Sequence, residues 1–505
     1  MNDSSVRASG PSFFGHPFGL ATLFFTEMWE RFSFYGMRAL LVLFMVAAVE
    51  NGGMGFDDVT ATAIYGLYMA GVYLTSLPGG WIADRLIGQQ KSIWYGGIII
   101  ALGHFTLAIP SRISFFIGLL LIVLGTGLLK PNTSALVGDL YPEGGSRRDA
   151  GFSIYYMGIN LGAFFGPLLC GYLGQNIDWH YGFGAAGVGM VIGLILYRST
   201  QRSLGDNGTH ASPAYTEPAR QQTFLRRSWL ALGAGVAVIV LLVVLGYTGT
   251  IVYNPLAIAL WTSVAILVLG LGFLVWMFVF GKLDGREKKH LIALAILFLV
   301  QALFWAGYEQ SGSNFTLFAE RYTQLNIFGF GFPASWFQSE NPLLIIVLAP
   351  FFAWLWIALG KRNMDPNTPF KFALGLILVG CGFLVMMGAA WIVVSGTKVL
   401  PTWLALTYLL HTTGELCLSP VGLSATTKLS PRRYASRLMG TWFLFTALGE
   451  ILAGLVAGVF GTHKGISDMP HIYATVAAVI IGVGILMAIF AIPIQRHLIG
   501  RKLAD

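Results

Sequence analysis

The chain reads as an all-α polytopic membrane protein with fourteen transmembrane helices, arranged as two six-helix bundles and an inserted two-helix hairpin. Three observations predict that class. Of 505 residues, 55% are hydrophobic and only 11% are charged, whereas a soluble chain carries about 25% charged residues. Glycine fills 63 positions, well above the usual ~7%, and suits close helix packing in lipid. Fourteen stretches each supply the roughly 20 mainly apolar residues that a crossing helix needs. This composition excludes a soluble enzyme and a disordered protein. Cys170, Cys381 and Cys417 all lie in apolar runs, so neither a disulfide framework nor a metal cluster is indicated.

In chain order the spans fall near 18–48, 58–83, 92–110, 113–131, 149–174, 181–198, 228–247, 256–281, 289–310, 339–360, 369–394, 400–427, 436–461 and 472–495. The most hydrophilic stretch, 199–227, contains Asp206, Asn207, Gly208, Pro213 and Pro218 and reads as a cytoplasmic linker. The next two spans carry no charge before Lys282 and read as a lipid-facing hairpin. The expected organisation is an N-terminal six-helix bundle over 1–198, the linker over 199–227, the hairpin over 228–281 and a C-terminal six-helix bundle over 282–505. Residues 1–17 are polar and the first apolar run is long and charged, which argues against a cleavable signal peptide. Of 31 Lys and Arg, 24 fall on the side of the N-terminus. Four (Arg112, Arg321, Lys398, Lys464) fall on the other side, and three (Arg31, Arg38, Lys130) lie inside spans. The positive-inside rule therefore places both termini in the cytoplasm. The net charge of +8 reflects basic cytoplasmic loops and no nucleic-acid partner.

Eight ionisable residues lie within the spans: Glu27, Glu30, Arg31, Arg38, Lys130, Glu309, Glu415 and Glu450. Each costs ~2.5–3.5 kcal/mol at a lipid-facing mid-helix position, so they must face one another or a wet cavity. Glu27, Glu30, Arg31 and Arg38 stand at i, i+3, i+4 and i+11 on one helical face, with Tyr35 one turn beyond Arg31. The alternative is a set of local ion pairs that only satisfy one another. Four charges on one span, matched by Lys130, Glu309 and Glu415 elsewhere, favour a central aqueous site.

The run Glu27-Met28-Trp29-Glu30-Arg31, continued by Tyr35, Gly36 and Arg38, resembles the ExxER motif of the proton-dependent oligopeptide transporters, a branch of the major facilitator superfamily. Gly79-Gly80-Trp81-Ile82-Ala83-Asp84-Arg85, followed by Gly88, resembles that family's motif after the second helix. Phe152 to Gly162, with Gly158 and Asn160, resembles its fifth-helix motif. Phe304-Trp305 with Glu309-Gln310, Asn341-Pro342 and Gly414-Glu415 with Ser419-Pro420 also match, and the fourteen-span layout is similar to prokaryotic members.

The resemblance implies a major facilitator fold and no enzyme. It implies proton-coupled import of di- and tripeptides by alternating access across a bacterial inner membrane, with the lipid bilayer as setting. Protons serve as coupling ion and no cofactor is needed. Oligomeric state is left open. By the same resemblance Arg31 and Lys130 hold the peptide carboxylate, Glu415 the amino group, and Asn160 and Asn341 the peptide backbone. Tyr35, Tyr73, Trp305 and Trp442 line the cavity, and Arg38, Glu309 and Ser419 complete the substrate-contacting set. These residue types suit a zwitterion: Arg offers a rigid fork to carboxylate, Lys a mobile point charge, and Asn both a donor and an acceptor to an amide. For each aromatic the other reading is plain core packing. Arg38 with Glu309 is the implied outer gate pair and Lys130 with Glu415 the inner one.

Leaving Glu450 aside, four acids face three bases, so one bound proton neutralises the set. A peptide carboxylate on Arg31 deprives Glu27 or Glu30 of its cation and favours protonation there. The second span holds no His, unlike that of animal members, so carboxylates carry the coupling. His411 lies one turn before Glu415, a position from which to tune it, with a structural histidine as the commoner reading, and His104 reads as structural. Asp84 and Arg85 read as conformational control, and Glu450 has no assigned role. Phe34 stands where several relatives have Tyr, which removes one phenolic hydrogen bond. A nitrate carrier needs cations without matched acids, and a sugar carrier favours Asn, Gln and Trp over ion pairs. A membrane enzyme needs HExxH, Gly-x-Ser-x-Gly or a Cys/His cluster, none of which occurs.

Overall fold

A computed structural model describes residues 12–142, 145–327, 329–462 and 465–500. Long apolar runs can cross lipid only if every backbone group is satisfied within the segment, so they fold as helices. The first six are α1 (Gly19–Val46), α2 (Asp58–Ile82), α3 (Gln89–Leu107), α4 (Arg112–Asp139), α5 (Gly145–Asn176) and α6 (Trp179–Thr200). Then come α7 (Pro218–Tyr247) and α8 (Pro255–Phe280). The remainder are α9 (Gly285–Tyr308), α10 (Asn314–Tyr322), α11 (Glu340–Lys361), α12 (Thr368–Val394), α13 (Thr402–Leu429), α14 (Ala435–Thr462) and α15 (Met469–Ile494). Among the described residues, ten segments, counting Gly285–Tyr322 as one, are long and apolar enough to cross a membrane on composition alone. α1 is not among them, because Glu27, Glu30, Arg31 and Arg38 all fall within it. Two short antiparallel hairpins pair Ser12–Phe13 with His16–Pro17 and Asn326–Ile327 with Phe330–Gly331.

Helix ends differ from the hydropathy limits for local reasons. α4 runs on to Asp139, through Pro131, rather than stopping near 131. α7 begins at Pro218, where proline's missing N–H costs nothing in a first turn, so the last ten residues of the expected linker are helical. α9 starts in a reciprocal capping box between Asp284 and Glu287. Ahead of α2, partial burial of Asp57 opposes ionisation, but hydrogen bonds from the Thr60 amide (2.9 Å) and hydroxyl (2.8 Å) outweigh it. Its carboxyl is held below the usual range.

The chain divides into two compact units, whose boundaries fall inside α1, α2, α5 and α6 and between α7 and α8. One comprises the described residues up to Tyr35, Thr75–Gly166 and Phe183–Ile251. Its core contains Leu20, Leu23, Ile100, Leu129, Leu136, Tyr155, Met190 and Tyr197. α3 and α4 approach backbone to backbone: a Cβ at Gly96 would stand 2.7 Å from the Gly125 carbonyl oxygen, and one at Gly103 2.9 Å from that of Gly118. Such small-residue seams let helices gain dispersion contact where lipid offers no hydrophobic drive. The segment after α6 is pinned to the start of α3. Gln90 Nε2 donates to the carbonyls of Gly205 (3.0 Å) and Asn207 (2.7 Å), and the Gln90 amide donates to Gly208 (3.0 Å). α7 buries only Ser228, leaving an apolar surface suited to lipid.

The other unit comprises Gly36–Leu74, Pro167–Gly182 and the described residues from Val252 onward. α12 packs on α13 through Gly375 against the Gly414 carbonyl, and on α15 through Gly484 against the Ala373 carbonyl. α2 meets α14 at Gly66, where a Cβ would lie 3.1 Å from the Glu450 carbonyl oxygen. α8 buries Ala259, Ser263, Ile266, Gly270, Leu274 and Met277, one face at helical spacing.

Candidate functional site

In the first unit, α1 holds Glu27, Glu30 and Arg31 at 1%, 0% and 3% exposure. The guanidinium engages Glu30 as a fork, through Nε to Oε2 and through Nη2 to Oε1 at 2.6 Å. Its Nε also lies 3.3 Å from Glu27 Oε1. One cation is thus shared by two buried carboxylates. Its face sits 4.9 Å from the Phe34 ring centroid, so the phenylalanine contributes a cation–π contact in place of a phenol. Lys130 on α4 is half-buried and close enough to act electrostatically on Glu30. Half-buried Tyr35 sets its ring edge-to-face on Phe34 at 5.3 Å. Asn160 on α5 is buried and donates back to its own helix at the Tyr156 carbonyl, 2.9 Å. α5 comes this close to α1 because Gly162 has no side chain: a Cβ there would stand 2.9 Å from the Phe32 amide and 3.0 Å from Arg31 Cβ.

Two groups in this cluster escaped sequence reasoning. The Glu27 Oε2 accepts a 2.7 Å hydrogen bond from the Thr133 hydroxyl, which in turn accepts 2.9 Å from the Tyr155 phenol. Threonine and tyrosine carry no charge that stands out in an apolar run, so only their position beside Glu27 reveals them.

In the second unit, Arg38 Nη2 pairs with Glu309 Oε2, and Arg38 Nε donates to the Tyr65 phenol at 2.7 Å. All three side chains are buried. The expected ninth span, 289–310, ends at this point: Glu309–Gly312 forms a 3-10 turn between α9 and α10. Gly312 is required there, since a Cβ would run into the Tyr65 phenol. Glu450, fully buried on α14, acts electrostatically on Tyr65 and so belongs to the same neighbourhood. Further along α10, Arg321 makes a two-pronged ion pair with Asp58 at 2.6 and 2.7 Å.

Glu415 on α13 accepts from the Tyr308 phenol (2.5 Å) and from Asn341 Nδ2 (3.2 Å), which also donates to Thr412 (3.0 Å). The sequence placed Asn341 and Glu415 in one site but missed Tyr308. His411 Nε2 donates to the Val379 carbonyl (3.1 Å) and its ring stacks on Tyr308 at 6.1 Å, so its link to Glu415 passes through that ring. Trp305 and Ser419 are half-buried, yet Trp305 Nε1 and Ser419 Oγ are buried atoms with no hydrogen-bond partner among the described residues. Trp442 is buried edge-on to Phe298 (6.0 Å) above Gly422, and Tyr73 is half-buried on α2. His104 is fully buried in α3 with neither ring nitrogen hydrogen-bonded among the described residues, in keeping with an apolar packing role.

A family profile described as the POT family matches residues 90–472. The chain is 42% identical to the peptide transporter YePEPT of Yersinia enterocolitica, over 98% of each chain. It is 38% identical to a di-/tripeptide transporter of Lactococcus lactis, over 97% of this chain and 98% of that one. A crystal structure of a peptide transporter POT in complex with sulfate superposes with a TM-score of 0.89 at 41% identity, over 97% of each chain.

Proposed function

The chain belongs to the POT family, a family of membrane transporters and not of enzymes, and on that premise we propose that it is a proton-coupled symporter of di- and tripeptides. It works by alternating access in a bacterial inner membrane, with both termini cytoplasmic. Relatives named as peptide and di-/tripeptide transporters at 42% and 38% identity support the substrate class. Arg31 and Lys130 take the peptide carboxylate, Glu415 the amino group, and Asn160 and Asn341 the backbone amide. The orphaned Trp305 Nε1 and Ser419 Oγ supply donors to substrate, because a buried donor without a partner is costly unless a ligand satisfies it.

The observation that carries the proton coupling is the sharing of Arg31 by Glu27 and Glu30. A peptide carboxylate arriving at Arg31 and Lys130 makes three acids around two cations. Like charges so close cannot all stay ionised, so Glu27 or Glu30 takes up a proton as substrate binds. Linkage makes the effect mutual, and protonation strengthens peptide binding. Arg38 with Glu309 acts as the outer gate pair, and Lys130 with Glu415 as the inner one.

Reconstituted vesicles test the reading with labelled dialanine. Wild type should accumulate it only under an imposed proton gradient, and Glu27→Gln and Glu30→Gln should abolish accumulation while retaining exchange. Accumulation by both variants at the wild-type level would show that these carboxylates do not couple.

A further inference from the structure

We propose that Thr133, Tyr155 and Ser134 form a hydroxyl relay that carries the coupling proton between Glu27 and the aqueous phase. The relay rests on the proton-symport reading above and names the route the proton takes.

Glu27 divides its two oxygens. Oε1 faces Arg31 at 3.3 Å, and Oε2 receives the Thr133 hydroxyl at 2.7 Å. Thr133 Oγ1 accepts the Tyr155 phenol at 2.9 Å, and the same phenol oxygen lies 3.4 Å from Ser134 Oγ. Thr133 and Ser134 are neighbours on α4, and the single Tyr155 oxygen from α5 touches both. Glu27, Thr133 and Tyr155 are all buried, whereas Ser134 is exposed. Three hydrogen bonds thus connect a buried carboxylate to an exposed hydroxyl, all within one compact unit. The other charged groups around Glu27 are Arg31 and Glu30 on its own helix and Lys130 on α4. They hold the site's charge, while the relay reaches the oxygen that Arg31 does not.

The donor directions suit delivery. Thr133 breaks its O–H bond as Glu27 Oε2–H forms, Thr133 takes the Tyr155 phenol proton, Tyr155 takes the Ser134 proton, and water or hydronium restores Ser134. Release is the reverse. Glu27 gives its proton to Thr133 Oγ1, whose own passes to Tyr155, from there to Ser134 and out to water. Thr133 has a resting place for its hydrogen between transfers, because its hydroxyl also lies 3.0 Å from the Lys130 carbonyl one turn back. A hydroxyl both donates and accepts, which a relay requires at every step.

The test compares proton-driven uptake with counterflow of dialanine, since exchange needs no net proton transfer. Tyr155→Phe and Thr133→Val should slow driven uptake, and the matching acidification of entrapped pyranine, by about tenfold or more, the scale expected when a positioned proton-transfer group is lost. Counterflow should stay within about twofold of wild type, because substrate binding is untouched. Thr133→Ser, which keeps the hydroxyl, should restore driven uptake. Wild-type driven uptake in both variants overturns the relay, and so does counterflow that falls in step with driven uptake with no rescue by Thr133→Ser. A wild-type protein that exchanges dialanine but never accumulates it under a gradient overturns the symport reading, and the relay with it.

Discussion

Replacing either member of the Arg38–Glu309 pair should cost more stability than replacing both. Arg38 is 5% exposed and Glu309 4%, so neither charge can turn to water when its partner goes. Removing one partner of a buried pair costs about 3–5 kcal/mol, because the survivor is left desolvated. The surroundings rank the two changes. Glu309→Gln leaves the guanidinium with the Tyr65 phenol at 2.7 Å and with Glu450 in its field, which points to the lower end, ~3 kcal/mol. Arg38→Gln removes the cation from a region that then holds two carboxylates, which points to the upper end, ~5 kcal/mol. The double variant leaves two amides that can bond each other, so its loss should be no greater than that of Glu309→Gln alone. The pair is therefore expected to show a coupling of ~5 kcal/mol or more. Equilibrium unfolding of the four purified proteins in mixed micelles, followed by circular dichroism, measures it. Single effects that add to within about 0.5 kcal/mol would refute the reasoning, as would a larger loss for Glu309→Gln than for Arg38→Gln.

Further outcomes follow from other contacts. Gly162→Val forces α5 off α1 at the Phe32 amide and Arg31 Cβ, so it should destabilise by about 1–3 kcal/mol and depress dialanine counterflow. Gly80→Ala, whose Cβ meets nothing nearer than 3.9 Å, should be neutral within about 0.5 kcal/mol, and equal losses in thermal unfolding would contradict the packing account. Gln90→Ala removes the two side-chain bonds to the Gly205 and Asn207 carbonyls, so trypsin should cut between α6 and α7 faster, and an unchanged rate would show that the segment is held otherwise. Glu415→Gln should lose the preference for dialanine over its N-acetylated form by about tenfold, read from competition in counterflow. A preference that survives assigns the amino group elsewhere. For orientation, an impermeant maleimide on intact cells should label Ser395→Cys and spare Asn207→Cys, both exposed positions, and the opposite pattern would invert the topology.

Much of the architecture was legible because its signals are local. Hydropathy over ~20 residues reports a crossing helix wherever it sits, and the spacing of Glu27, Glu30, Arg31 and Arg38 places them on one face before any partner is known. Helix limits were less legible. Pro131 does not end α4, and α9 gives way at Glu309 to a 3-10 turn whose geometry the hydropathy of the ninth span does not signal. In both cases neighbouring helices, not the segment's own composition, decide the backbone path.

Composition and spacing are enough to read the chain as a bundle of membrane helices carrying a small, nearly balanced set of buried charges, because transfer cost and helical period act residue by residue. Tertiary packing chose which atoms meet. It set one guanidinium between two carboxylates, put Tyr65 and Glu450 beside the Arg38–Glu309 pair, gave Glu415 to Tyr308 and Asn341, and lined up Thr133, Tyr155 and Ser134 on the far oxygen of Glu27. Those hydroxyls and phenols are common side chains with no signature of their own in an apolar run. Their roles depend on close approach between helices far apart in the chain, and that approach is fixed by the glycine seams and buried side chains that pack them together.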